Sequence, residues 1–259
     1  MRLATFNIWS GRSPADGEVD LDRYTAAIRS LDADVLAVQE VDCGQPRSRS
    51  ADLTALAAEA MGAVAHRFVA AIAGTPGATW VAATGAEQPG SAAYGIAVLS
   101  RHPVHDWQVV RMPPLPFRFP LWLSRPRKWV VVREEPRTAL IGRVETPAGP
   151  VTIANTHLSF VPGWQRLQLR RLCRDLAAFA DPLVLMGDLN MPPGAVAAVS
   201  GYRALGAGPT FPVDVPDVQL DHILLRGRSV PACRTQTCAL TVSDHRALVV
   251  DVDAPLTVD

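Results

Sequence analysis

Six apolar runs, each about as long as a strand and each abutting a polar residue, constrain this chain more than any other feature. In "DPLVLMGDLNMPP", Leu183 to Gly187 reads as a buried strand, followed by Asp188, Asn190 and two prolines. "TFNIW" ends on Asn7, "VLAVQE" on Glu40, and "IANTH" on Asn155 and His157. Asp221 opens "LDHILL", and Asp244 with His245 opens the last run in "SDHRAL". A charge against a core strand is costly unless water, a partner or a metal satisfies it. Side chains alternate along a strand, so Asn155 and His157 share a side. Asp188 and Asn190 do likewise if their strand persists. One such pair alone is better explained by strand capping than by function. Six ends that converge would supply carboxylates, amides and two imidazoles, a mainly hard-oxygen set. That set suits Mg²⁺ or Mn²⁺ better than zinc, and no HExxH is present. The prolines would end the strand and hold Asp188 and Asn190 at a rim.

Helix signals separate some of the strands. Asp20 caps a helix with Leu21, Tyr24, Ile28 and Leu31 on one face. A second helix runs from about Asp52 to Met61 and stops at Gly62. A third, Trp164 to Phe179, places Trp164, Leu167, Leu172, Leu176 and Phe179 on one stripe. No clean boundary or repeat interrupts residues 1–259, although both halves share the plan of apolar strands with polar ends. Strands outnumber helices, which predicts one α/β domain with two packed sheets and helices outside.

At 48% hydrophobic over 259 residues, the chain can bury a full core without a disulfide or metal staple. Lys+Arg and Asp+Glu both number 25, which counts against tight non-specific nucleic-acid binding but permits a local basic face. The cysteines, Cys43, Cys173, Cys233 and Cys238, form no CxxC. They read as reduced thiols, with a Cys233–Cys238 hairpin pair as the alternative. "MRLATFNIWS" does not resemble a signal peptide, and no apolar run reaches about 18 residues, so no membrane span and a cytoplasmic location are expected.

"TFNIW", "VLAVQE", "NTHL", "VLMGDLN", "LDHILL" and "SDHRAL", in this order, resemble the signatures of the endonuclease/exonuclease/phosphatase superfamily. The resemblance extends from Asn7 to His245. It implies a four-layer α/β/β/α sandwich of the DNase I type and divalent-metal-dependent cleavage of phosphate esters. Carried over by motif, Glu40 is the main metal-binding carboxylate, with Asn7 beside it and Asp244 as a further ligand. Asp188 orients or deprotonates the attacking water, and Asn190 holds a phosphate oxygen or a second metal position. His245, steadied by Asp221, contacts the phosphate, and His157 serves the leaving oxygen or the transition-state charge. Abasic-site endonucleases carry a Tyr-containing motif where this chain reads "NTHL", which places it nearer the DNase I, sphingomyelinase and inositol-phosphatase branches.

His222 follows Asp221 and faces the other side of its strand, so it reads as structural. His66, His102 and His105 read as surface or satisfied residues, and Gly95 as a packing position. Trp9 fits a rim or a core role equally. Met112 to Arg137 mixes prolines, aromatics and arginines and predicts a long exposed loop. That loop is either packed by its own aromatics or a substrate wall whose arginines grip phosphate while an aromatic stacks a base or lies on a lipid. Arg137 is its likeliest phosphate contact, and Asn155 is a second candidate. With no signal peptide and no obvious lipid-inserting hairpin, a secreted sphingomyelinase is not favoured. The expected function is a nuclease or phosphodiesterase acting on a phosphate-ester substrate, nucleic acid included. The alternatives are a phosphatase or phospholipase C-type enzyme, and a non-catalytic binding module.

Overall fold

The computed structural model describes residues 1–88, 90–124, 127–227 and 233–253. In chain order the strands are β1 (Arg2–Asn7), β2 (Val35–Cys43), β3 (Ala65–Gly74), β4 (Trp80–Ala82), β5 (Ala93–Ser100), β6 (Val104–Met112), β7 (Phe119–Ser124) and β8 (Arg127–Val132). There follow β9 (Arg137–Thr146), β10 (Gly149–His157), β11 (Leu183–Asp188), β12 (Arg203–Ala204), β13 (Asp221–Arg226), β14 (Cys233–Cys238) and β15 (Ala247–Val252). The helices are α1 (Leu21–Ser30), α2 (Leu53–Met61), α3 (Trp164–Leu176) and α4 (Pro193–Ser200).

Local chemistry sets the helix ends as expected. The Asp20 carboxylate accepts from the Arg23 N–H at the start of α1, and Asp52 accepts from Thr54 and Ala55 at the start of α2. Gly62 ends α2 in the left-handed region. Helix α3 stops at Leu176, three residues early, and its buried stripe differs from the expected one. Leu169, Leu172 and Leu176 are buried, while Leu167 is exposed, because the helical period carries it to the far side. The prolines after Asn190 do more than stop a strand: Pro192 and Pro193 begin α4, where a missing N–H costs nothing.

The strands form two main sheets. The 7-stranded sheet has the order β14-β15-β1-β2-β5-β3-β4, and the 6-stranded sheet β12-β13-β11-β10-β9-β6. Each contains one parallel pair at its centre, β1 with β2 and β10 with β11. Alternation then builds three apolar layers. Leu3, Val35, Ala37, Ile153, Val184, Met186 and Ile223 pack between the sheets. Ala4, Phe6, Leu36 and Val38 pack on α1 and α2, and Leu183, Leu185 and Leu224 pack on α3 and α4. The result is the expected four-layer α/β/β/α sandwich.

The layer between the sheets changes character toward one end. Thr5, Gln39 and Asn155 are its buried polar members. The Asn155 amide donates to the carbonyl oxygens of Val38 and Ala97 at 2.9 and 2.8 Å and accepts from Gln39 Nε2 at 2.8 Å. One step further along their stripes come Asn7, His157, Asp188 and Asp221.

Met112 to Arg137 is not a loop throughout. Strands β7 and β8 pair antiparallel, with Trp122 opposite Trp129, and form a separate 2-stranded sheet. Aromatic residues in both strands and the valines at 130–132 favour an extended ribbon here despite the prolines. Cys233 and Cys238 stand at opposite ends of β14, five residues apart on an extended strand, and Cys238 is a free thiol. At about 3.3 Å per residue they are too far apart for a disulfide.

Gly95 serves packing, as expected. It lies where β3 crosses a bulge between Ala70 and Ile72, and a Cβ on it would sit 2.0 Å from the Val69 carbonyl oxygen. Gly95→Ala is expected to destabilise the protein by about 2–3 kcal/mol, seen as a lower urea midpoint at unchanged m-value. A loss below about 0.5 kcal/mol would mean that the strands separate freely at this crossing.

Candidate active site

The polar strand ends meet. Asn7, Glu40, His157, Asp188, Asn190 and His245 line one cleft of about 230 Å³, together with Arg137. Most arrive by simple alternation. Asn7 continues the stripe of Leu3 and Thr5, His157 that of Ile153 and Asn155, and Asp188 that of Val184 and Met186.

Glu40 does not. Regular alternation would send it to the helix side with Leu36 and Val38. Instead the pairing of β2 with β5 shifts between Gln39 and Val41, and Glu40 has a left-handed φ of 57°. Glu40 is thus the extra residue of a bulge, and Val41 takes the helix-side place. Strain of this kind persists only where the surroundings enforce it. Asn190 and Ser243 share the left-handed region, with φ of 51° and 76°.

Hydrogen bonds hold the cleft residues in relation to one another. Asn7 Nδ2 donates to Glu40 Oε1 at 3.2 Å and to Asp188 Oδ2 at 3.0 Å, and Asn7 Oδ1 accepts from the Trp9 N–H. Asp188 Oδ1 accepts from the Asn190 N–H at 2.9 Å. That turn ends the strand, so Asn190 does not continue the Asp188 stripe; its side chain donates to the Leu158 carbonyl oxygen while still lining the cleft. Ser243 fixes the "SDH" loop. Its hydroxyl donates to the Asn7 carbonyl oxygen at 2.5 Å and accepts from the His245 N–H at 3.0 Å.

The two imidazoles differ in state. Arg137 can only donate, so at 3.3 Å from Arg137 Nη1 the Nδ1 atom of His157 accepts, and the ring proton sits on Nε2. That Nε2 lies 3.5 Å from Asp188 Oδ2. Burial, then Arg137 and His245, hold the His157 pKa well below its ordinary value. His245 instead donates from Nδ1 to Asp221 Oδ2 at 2.9 Å and turns Nε2 toward Asp188 Oδ2 at 3.9 Å. Burial opposes its charge, but Asp221, Asp188 and Asp244 outweigh burial and raise its pKa to about 10. Asp188 is raised to about 7 by burial and by Asp221, against the pull of His245 and the Asn7 amide. Burial also raises Glu40, with the Asn7 hydrogen bond opposing.

Several expected residues stand elsewhere. Asn155 is fully buried, and its amide is spent between the sheets, so it cannot bind phosphate from the cleft. Asp221 is fully buried behind His245 and off the cleft wall. Asp244 is half-buried and also off the wall, although its charge reaches Glu40. His222 faces the helix side and meets the Met191 carbonyl oxygen through Nε2 at 2.9 Å. Trp9 is half-buried beneath Arg12 and does not line the cleft. His66, His102 and His105 are exposed or half-buried and lie outside the cleft. Conversely, Tyr94, Arg133, Glu134, Glu135 and Phe160 line it. The "YG" and "EEPR" stretches place Tyr94 and the two glutamates beside recognisable positions; Phe160 carries no sequence signal.

The donor set can be tested for a metal. Among the described residues Glu40 meets the Asn7 amide and no basic side chain at ion-pair distance. Asp188, Asp221 and His245 offer ligand atoms within 4.8 Å of one another. In the latter group Asp221 Oδ2 already accepts the His245 Nδ1 proton, which leaves Glu40, Asp188 and the Asn7 amide as the cleft's hard donors. Glu40, raised by burial, facing the cleft and with no basic side chain at ion-pair distance among the described residues, fits a divalent cation, while Asp188 has the cationic His245 3.9 Å away.

A sequence profile of the Endonuclease/Exonuclease/phosphatase family matches residues 4–245. The chain belongs to that family, which includes phosphodiesterases, nucleases, sphingomyelinase and phosphatases. No curated protein matches it. Among solved structures it is similar to an endonuclease/exonuclease/phosphatase from Beutenbergia cavernae, at 26% identity and TM-score 0.66 over 96% of this chain and 70% of that one. It also shares its fold with sphingomyelinase C from Streptomyces griseocarneus, at 14% identity and TM-score 0.62 over 96% and 98% of the two chains. A mannosyl-6-phosphatase from Bacteroides thetaiotaomicron matches at 17% identity and TM-score 0.59, over 97% and 98%.

The reassignment of Asn155 can be measured. Asn155→Ala removes three buried hydrogen bonds and is expected to cost about 2–4 kcal/mol of stability, with phosphate affinity of the folded protein unchanged. Weakened phosphate binding at unchanged stability would return Asn155 to the substrate site.

Proposed function

We propose that this protein hydrolyses phosphodiesters, with Mg²⁺ or Mn²⁺ held by Glu40 and the Asn7 amide oxygen, and with Asp188 left free to act on water. The supporting observation is that Asn7, Glu40, His157, Asp188 and His245, drawn from both sheets, face one cleft. A bound divalent cation would neutralise phosphate charge and make a coordinated water more acidic. The remaining work falls to the chain's own groups.

Asp188 receives the proton of the attacking water. Burial and the neighbouring Asp221 raise its affinity for a proton, which suits a base. His245, cationic and anchored by Asp221, donates from Nε2 to a phosphate oxygen. His157 is neutral and carries its proton on Nε2, so it donates to the leaving oxygen or to developing charge beside it. Arg137, almost buried, holds the His157 tautomer and brings a fixed positive charge to the phosphate. Asn190 steadies a phosphate oxygen from the rim, and Asp244 adds negative potential near Glu40. A phosphate monoester or a phosphorylated lipid headgroup would use the same groups, and a binding module would need none of them arranged for proton transfer.

The reading is tested on bis-p-nitrophenyl phosphate, single- and double-stranded DNA, RNA, sphingomyelin and inositol phosphates, each with Mg²⁺, Mn²⁺ or EDTA. Turnover is expected with metal and is expected to vanish in EDTA. Asp188→Ala and His245→Ala should each lower kcat by about 10²-fold or more without unfolding the protein. Glu40→Gln should move the Mg²⁺ titration to higher concentration. Full turnover in either alanine variant, or an unmoved titration, would sink these roles.

A further inference from the structure

The β7–β8 ribbon has no place in the mechanism, and its surface is unusual. Among the described residues its strands pair only with each other, and a lone two-stranded ribbon is marginal in water unless something covers it. Apart from Ser124, Arg127 and Lys128, every residue of the two strands is apolar. Trp129 and Val131, two apart on β8, are 67% and 70% exposed, and Phe117 at the entry to β7 is 63% exposed. These large apolar side chains lie outside the three apolar layers and close together in sequence, whereas Val64, Leu167 and Val215 are exposed singly.

Charge narrows the partner. From Phe117 to Arg133 the chain carries Arg118, Arg125, Arg127, Lys128 and Arg133 and no acidic residue, with Glu134 and Glu135 following directly, although the whole chain has formal net charge zero. Arg118, Arg127 and Arg133 are exposed. The ribbon also connects to the cleft. Arg118, Val131, Arg133 and Trp80 line a groove with Glu135, and Arg133 and Glu135 line the cleft as well. Arg133 lies over the Trp80 ring at 4.4 Å, and Val81, next along β4, is exposed. At the cleft mouth Phe160 adds a further exposed ring.

We propose that this ribbon docks the protein on an anionic lipid surface, with the cleft mouth turned toward the bilayer. Tryptophan and valine enter the headgroup boundary while the arginines remain among anionic headgroups. A nucleic-acid strand would be served by the arginines but would leave Val81, Val131 and Phe117 in water. A protein partner would bury the apolar residues but gives no reason for five basic residues without an acid. The surface goes beyond the hydrolytic reading and does not depend on it.

The test is co-sedimentation of the full chain with vesicles of phosphatidylcholine alone and of phosphatidylcholine with phosphatidylserine. Binding is expected to the mixed vesicles and to weaken with added salt. The double variant Trp129→Ser/Val131→Ser and the pair Arg118→Ser/Arg127→Ser should each lower the partition coefficient by about tenfold or more. Both should retain wild-type melting behaviour and wild-type turnover of bis-p-nitrophenyl phosphate. Equal sedimentation with and without vesicles would overturn the proposal. So would single-stranded DNA that binds through the same four residues and displaces vesicles, or a concentration-dependent dimer that the double variant abolishes. Vesicle binding without turnover of any ester would leave the docking surface standing and remove the hydrolytic reading alone.

Discussion

Asn155 carries the interaction on which the rest of this structure depends. It belongs to β10, yet both its amide hydrogens go to carbonyl oxygens of the other sheet, at Val38 and Ala97, and its oxygen meets Gln39. Apolar packing alone lets two sheets slide at small cost, because the hydrophobic effect has no direction. A buried amide with every group satisfied does not allow it, since any slip would strand polar atoms. The tie lies one stripe position from His157 on one side and one residue from Glu40 on the other. It therefore sets the distance across which the cleft residues face each other.

Within the cleft, environment assigns unlike roles to like groups. His157 and His245 are both buried, but an arginine at Nδ1 keeps the first neutral, and an aspartate at Nδ1 keeps the second charged. Glu40 and Asp188 share the Asn7 amide, yet neither has a lysine or arginine within ion-pair distance among the described residues. The cleft thus joins a cationic flank, Arg137 and His245, to an anionic floor. The proposed phosphate ester and divalent cation would call for that pairing of charges.

The sheets, the helix caps and most of the cleft were legible because they follow period two and simple capping chemistry. Asn7, His157, Asp188 and Asp221 fall where alternation puts them. Glu40 was found through its motif, but its direction was not legible, since a bulge reverses alternation and leaves no mark in "VLAVQE". Asn190 was misread for a similar reason: its N–H closes a turn on Asp188, so the stripe ends one residue early. Asn155 looked like a ligand because it ends a polar pattern, and only the opposing sheet shows where its amide goes. The β7–β8 ribbon was hidden by prolines that suggest a loop, although cross-strand Trp122 and Trp129 match a hairpin. Ser243 escaped notice because its work is done through backbone atoms of Asn7 and His245.

The place of β1 has a consequence for biosynthesis. It is the first strand of the chain and lies inside its sheet, between β15 and β2, with Arg2 paired to Asp251. Emerging from a ribosome, it finds β2 early, but its other edge is covered only once β15 has been made. The "SDH" loop that anchors to Asn7 arrives just as late. The inner edge of β1 therefore stays uncovered, and the cleft incomplete, until β15 and the "SDH" loop have been made.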